Sequence, residues 1–341
     1  MMERHHGKVI EVVVGMRRCF LLALVGSLMV APKVATAQQP SRPAGAAPTF
    51  RSGVDLVTVA AVVRDGKGRL VMNLTRDDFT VIDSGRPQKI VDFRPGDAAI
   101  SVAVLMDGSG SMAVSDKIGI ARVAAEIIRG ALDPRRDELA LFSFDTRLTE
   151  LRGFDRAGTS VDNLLAQVEP FGMTSLYDAI AETAQRVAAR GRAHGHAAVV
   201  VVTDGMDTGS ALTPPEVSGI ASAIDVPVYV LAVTSPVDDP TSKYAVTGAS
   251  ESPLAGELVD LARWTGGDAF VASQPSHAVV AVRRAVNELR YQYVIAFEPG
   301  GQPGWHPLEL RMRNRRHQVR ARGGYFANPS RAAGESSEVR Q

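Results

Sequence analysis

The strongest chemistry in this sequence lies in three short segments rich in oxygen side chains. Asp107-Gly108-Ser109-Gly110-Ser111 sets three of them at alternate positions between glycines, Thr203-Asp204-Gly205 adds a second carboxylate, and Gly172-Met173-Thr174-Ser175-Leu176 adds a hydroxyl. Asp, Ser and Gly are common wherever a strand stops, so any one segment alone reads as turn chemistry. Together, Asp107, Ser109, Ser111, Thr174 and Asp204 make a set of hard oxygen donors with no His or Cys. Such a set suits Mg²⁺ first, then Mn²⁺ or Ca²⁺, and disfavours Zn²⁺. The hydroxyls are neutral and weak ligands, and only two carboxylates oppose the ion's charge. An ion held in this way stays electrophilic and keeps water at an open position, where a carboxylate from a partner can displace it.

Other chemistries fit these loops less well. Gly108-Ser109-Gly110-Ser111 has no following Lys of the kind a P-loop uses. Met112 occupies the last position of the Gly-x-Ser-x-Gly nucleophile pattern. No base with an obvious partner sits near the loops, which weighs against a metal-assisted hydrolase. That enzyme, and a structural envelope component whose metal only braces the fold, are the alternatives to a non-enzymatic binding protein.

The elements that must position these loops follow from hydropathy. Ile100 to Met106 is a continuous apolar run, as expected of a strand buried on both faces, and Asp107 follows it directly. Glu138 to Phe144, Arg147 to Phe154, Ala197 to Val202, Val226 to Val233 and Asp268 to Ala272 read as further strands. Helical segments are expected at Lys117 to Leu132, Ser160 to Val168, Ser175 to Arg190, Pro214 to Ala223, Leu254 to Trp264 and Ser276 to Leu289. This alternation predicts a doubly wound, mostly parallel sheet flanked by helices, whose ligand site lies beyond the carboxyl ends of strands where the strand order reverses. Short strands with turn signals also precede it, over residues 54–63, 69–72, 79–82 and 88–93, and follow it, over 291–297, 305–312 and 318–320. Three trailing strands cannot stand alone, so both sets are expected to form one small β-sandwich-like domain with the α/β domain inserted.

The site residues resemble the metal-ion-dependent adhesion site of the von Willebrand factor type A family. Its Asp-x-Ser-x-Ser pattern falls on Asp107, Ser109 and Ser111, its threonine on Thr174, and its second aspartate on Asp204. The resemblance implies that Ser109, Ser111 and Thr174 touch the metal, with Asp107 and Asp204 acting largely through water. It also implies a protein ligand that presents an Asp or Glu carboxylate. Met173 departs from the family pattern, where a glycine is usual. The flanks resemble a bacterial exported subgroup of the family, through Val54-Asp55-Leu56-Val57, Leu74-Thr75-Arg76-Asp77-Asp78-Phe79 and Arg320-Ala321-Arg322-Gly323-Gly324-Tyr325.

Export is also written at the N-terminus. Arg17 and Arg18, the apolar run Cys19 to Val30 and Ala35-Thr36-Ala37 have the form of a cleavable signal peptide over 1–37, with Met16 as an alternative start. The expected organisation is a linker over 38–50, β-domain parts over 51–97 and 291–327, the von Willebrand factor type A domain over 98–290, and a disordered tail over 328–341. Cleavage takes away Cys19, the only cysteine, and lowers the net charge from +1 to −2, because residues 1–37 hold five Lys/Arg and two Asp/Glu. The mature chain then has no thiol, no membrane span and no bulk field for nucleic acid, and is expected in the periplasm or outside the cell. At 341 residues, 45% apolar and 22% charged, it is long enough for a core without disulfides. Oligomeric state leaves no mark in the sequence.

Four further features read as structural. His194 and His196 are expected in a solvated loop, His306 and His317 at the surface or rim. Trp264 and Trp305 stand too far apart in sequence to define a sugar platform. Arg311, Arg313, Arg315 and Arg316 read as a charged hairpin edge, and the long polar loop from Pro236 to Pro253 as an insertion suited to recognition.

Overall fold

The computed structural model describes residues 56–190, 196–223, 225–234, 256–300 and 303–327. The signal peptide, the linker, His194, the loop over 236–253 and the tail over 328–341 lie outside these residues. The described chain opens with strands β1 (Val57–Arg64), β2 (Phe79–Asp83), β3 (Arg86–Gln88) and β4 (Ile90–Arg94). After β1, the Asp65 side chain accepts the amides of Lys67 and Arg69, both at 2.9 Å, and so fixes the expected turn. The strand expected over 69–72 is reduced to one bridge between Arg64 and Leu70. The Tyr293 hydroxyl takes over there, donating to the Val71 carbonyl at 2.7 Å and accepting the Leu74 amide at 3.2 Å, so this stretch follows a side chain instead of a ladder.

The α/β domain then runs β5 (Ile100–Asp107), α1 (Lys117–Ala131), β6 (Glu138–Phe144), β7 (Leu148–Arg156), α2 (Asp162–Ala166), α3 (Leu176–Ala189), β8 (His196–Thr203), α4 (Pro214–Ala223), β9 (Val228–Val233), α5 (Gly256–Trp264), β10 (Ala269–Ala272) and α6 (Pro275–Arg290). Its sheet has the order β10-β9-β8-β5-β6-β7, parallel except for the antiparallel edge strand β7. Every residue of β5 is buried. Strand alternation sends Val102, Val104 and Met106 into one core with α1 and α6, and Ala103 and Leu105 into the other with α3, α4 and α5. From β5 the chain steps one way to β6 and later returns on the other side as β8. The strand order therefore reverses between β5 and β8, the place where a doubly wound sheet opens a crevice.

The chain returns to the sandwich through β11 (Tyr293–Phe297), β12 (Gly304–Met312), β13 (Gln318–Ala321) and β14 (Gly324–Ala327). Leading and trailing strands interleave in two four-stranded sheets, β13-β1-β11-β4 and β14-β12-β2-β3, so neither half completes a sheet without the other. Val59, Ala61, Val81, Ile295, Phe297 and Leu310 form the core between them. Where the sandwich meets the α/β domain the contact is ionic. Arg64 and Arg320 from β1 and β13 pair with Glu288 of α6, and Arg320 also reaches Asp268 at 2.8 Å. Arg322, 5% exposed, donates to the carbonyls of Thr58 and Ser222.

Candidate metal centre

The three oxygen-bearing segments meet at the reversal point. β5 delivers Asp107 and β8 delivers Asp204 from neighbouring strands, paired as far as Met106 and Val202. The 108–111 loop is pinned on both sides. Gly108 donates to the Phe144 carbonyl at the end of β6 at 2.8 Å, Phe171 donates to the Gly108 carbonyl at 2.8 Å, and Gly110 donates to the Gly172 carbonyl at 3.1 Å. The last two bonds tie the loop directly to the segment that carries Thr174. Gly172 makes its turn at φ +81°, and Gly205, just after Asp204, at +84°, a region costly for side-chain-bearing residues. The segment after β8 closes the assembly. Asp207 accepts the Leu176 amide and Ser210 the Tyr177 amide, each at 2.9 Å, which satisfies the first N–H groups of α3. Thr174 donates its amide to the Thr208 hydroxyl and accepts the Thr208 and Gly209 amides, all at 2.9 Å.

The side chains form a compact, largely buried polar cluster. Asp107 is fully buried, with one carboxylate oxygen accepting the Ser109 amide at 2.8 Å and the other the Thr203 hydroxyl at 2.5 Å. The Ser109 and Ser111 hydroxyls lie 3.1 Å apart. Thr174 is 3% exposed. Burial pushes the Asp107 carboxyl up to about 6, against the pull of its hydrogen bonds to Ser109 and Thr203, and the nearby Asp204 charge adds to the rise. A buried acid with a raised value beside a second acid marks a place short of positive charge.

One cation is built in. Lys117, the first residue of α1, places its ammonium 2.8 Å from Asp204 Oδ2, with the two side chains 6% and 4% exposed. Sequence reasoning missed both Lys117 and Thr203 as parts of this cluster. Thr203 is hidden as the last residue of an apolar strand. Lys117 does leave a signal, a cation at a helix N-terminus, where the helix dipole disfavours it.

The cluster fits a divalent ion by donor chemistry. Two carboxylates and three hydroxyls are hard ligands, and the raised Asp107 carboxyl reports the missing charge. Among the described residues no cluster of three or more His, Cys, Asp or Glu could hold a metal, so a centre here depends on its hydroxyls. Around the cluster the same loops turn large apolar side chains outward: Val114, Phe171, Met173 and Met206 are 49%, 78%, 52% and 58% exposed.

Elsewhere the structure corrects three expectations. His306 is buried, with Nδ1 2.8 Å from Asp83, because the sandwich closes over a polar cluster of Asp83, His306 and Tyr325. His196 is the first residue of β8 and not part of a solvated loop. Its Nδ1 lies 3.0 Å from the Leu289 carbonyl, and burial lowers its pKa. Trp264 and Trp305, remote in sequence, stack with ring centroids 6.1 Å apart and line a groove of about 450 Å³ with Phe326. No helix among the described residues is long and apolar enough to cross a membrane.

Residues 102–206, the stretch that contains the whole cluster, match the family model of the von Willebrand factor type A domain. Among solved structures, the chain is similar to the conserved hypothetical protein BatB from Bacteroides thetaiotaomicron, at 18% identity and a TM-score of 0.44, covering 56% of this chain and 98% of that one. It is similar to an aerotolerance-related membrane protein from Bacteroides fragilis, at 17% identity and 0.45, covering 56% and 100%. A von Willebrand factor type A protein from Catenulispora acidiphila gives 12% identity and 0.45, covering 82% and 76%. Comparison with curated proteins finds no match.

Proposed function

Because the chain contains a von Willebrand factor type A domain, we propose that it is an exported, non-enzymatic binding protein that captures a protein partner through a divalent cation held by Asp107, Ser109, Ser111, Thr174 and Asp204. When bound, the cation, Mg²⁺ first among the candidates, supplies an open coordination position for an Asp or Glu carboxylate of the partner. The protein's own residues do the rest. Asp107 and Asp204 supply the negative charge, the hydroxyls of Ser109, Ser111 and Thr174 complete the donor set without cancelling the ion's charge, and Thr203 orients Asp107.

The observation that carries this reading is the apolar collar. Ten large apolar side chains are exposed among the described residues, and four of them, Val114, Phe171, Met173 and Met206, project from the loops that bear the polar cluster. Apolar contacts around a charged centre are how a protein surface recognises another protein surface. A hydrolase needs a proton-transferring group free beside the pocket, whereas Asp107 is buried and bonded and Asp204 is paired with Lys117.

The test is binding of Mn²⁺, as a spectroscopic substitute for Mg²⁺, followed by affinity capture from the native envelope with and without EDTA. The expected result is one bound ion and a partner released by EDTA, both lost in a folded Asp107→Ala variant. Metal-dependent turnover of an ester or phosphate that disappears in the same variant would replace this reading with the enzyme. Ion binding that only raises the unfolding temperature, with no partner released, would replace it with the bracing role.

A further inference from the structure

Lys117 stands where elementary rules place no lysine. It is 5% exposed, although lysine is almost never buried unless paired. It opens α1, where the helix dipole repels a cation. The two residues before it, Ser115 and Asp116, both adopt left-handed backbone at φ 53° and 58°, a strained conformation for residues with side chains. Three unfavourable features converge on one side chain, and its ammonium ends 2.8 Å from a carboxylate of the candidate metal centre. Sites where local rules fail together are commonly functional.

We propose that Lys117 is a resident cation that competes with the divalent ion for Asp204. With Lys117 in place, the two carboxylates and one ammonium leave the cluster short of one positive charge. In that state the cluster is closed and tolerably stable without metal. Entry of a divalent ion brings two further charges. With the ammonium still on Asp204 the centre carries excess positive charge; with the ammonium withdrawn it is neutral. Ion binding is therefore coupled to release of Lys117. The strained turn at Ser115 and Asp116 and the exposed Val114 lie on the segment that must give way. The centre is in this view an exchanger of cations, so its ion affinity is deliberately low and the same movement alters the collar that meets the partner. This inference rests on the metal reading above.

The test uses the full chain, stripped of metal and titrated with Mn²⁺ by electron paramagnetic resonance. Lys117→Met should bind Mn²⁺ about tenfold tighter than wild type or more, since one unit charge a few ångströms from the ion is removed. Its metal-free form should melt at lower temperature, with Mn²⁺ restoring it. Lys117→Arg, which keeps the charge, should stay near wild-type affinity. A second measurement needs no variant. Amine-directed labelling of wild type, read by mass spectrometry at Lys117, should rise when Mn²⁺ is added, because the ammonium leaves its buried partner. Equal or weaker Mn²⁺ binding by Lys117→Met, or unchanged labelling in a wild type that binds Mn²⁺, overturns the exchange while leaving the metal centre standing. Absence of Mn²⁺ binding by both proteins overturns the metal centre itself, and the exchange with it.

Discussion

The chain buries acid pairs in two places and treats them oppositely. At the seam between sandwich and α/β domain, Glu288 is fully buried and Asp268 is 6% exposed, and three guanidiniums, from Arg64, Arg284 and Arg320, surround the two carboxylates. Burial raises the Glu288 carboxyl, but Arg320 and Arg64 outweigh it and hold the group below its ordinary value. At the carboxyl end of the sheet, Asp107 is equally buried, yet its carboxyl is pushed up to about 6, and the ammonium in the cluster sits on Asp204. Desolvation is common to both places and the supply of positive charge differs. The seam is complete, a fastening between domains. The cluster is incomplete in charge, which is what a centre awaiting a cation requires.

The largest expected effect breaks the seam. Glu288→Gln removes the charge that three arginines share and leaves Arg320 and Arg64 poorly matched, so denaturant unfolding should show a loss of about 3–5 kcal/mol. A loss below about 1 kcal/mol would mean that solvent already screens the seam and that the contrast between the two sites is weaker than the geometry implies. The pH dependence follows from the same group. Its folded value lies below the ordinary 4.5, so the unfolded chain binds the proton more readily. The stabilisation is complete above that ordinary value and drains away as pH falls through the lowered folded one. Wild type should lose stability steeply on the acid side, and Glu288→Gln should flatten that limb. Identical acid limbs would remove Glu288 as the cause.

The two places also differ in how far the sequence reveals them. Asp107, Ser109, Ser111, Thr174 and Asp204 were legible because short-range pattern marks them: apolar strands that stop abruptly, followed by Asp, Ser and Gly. The alternation of strand and helix was legible for the same reason, and the inserted arrangement followed from trailing strands that need partners. Long-range pairing left no such trace. Glu288 meets Arg64 across 224 positions, and nothing around either residue announces the other. His306 looked like a rim residue because its partner Asp83 lies 223 positions away. Trp264 and Trp305 looked isolated for want of the fold that stacks them. Lys117 belongs to both classes. Its oddity at a helix start was local, but its partner on β8 was not.

A smaller effect sharpens the site side of the contrast. Thr203→Val keeps the shape of a buried strand end and deletes the hydroxyl that donates to Asp107 at 2.5 Å. A buried acceptor stripped of one donor should cost about 1–3 kcal/mol in thermal unfolding. Because Thr203 orients Asp107 without belonging to the proposed donor set, Mn²⁺ binding should weaken but persist. Complete loss of the ion in this variant would promote Thr203 to a ligand.

The smallest effect on the fold should be the largest on recognition. Phe171 is 78% exposed and Met173 52%, on the segment that holds Thr174. Neither side chain supports the core, and exposed substitutions of this kind usually shift stability by no more than about 0.5 kcal/mol. The backbone carries what the cluster needs from this segment: the amide of Phe171 bonds to Gly108 and the carbonyl of Gly172 to Gly110, and both bonds are indifferent to side chains. The double variant Phe171→Ser, Met173→Ser should therefore melt with wild type and bind Mn²⁺ as wild type does, yet lose the EDTA-sensitive partner. If capture survives, the collar is not the contact surface, and recognition depends on the charged centre alone. If Mn²⁺ binding falls instead, the apolar side chains shield the cluster from water, and they belong to the centre's electrostatics.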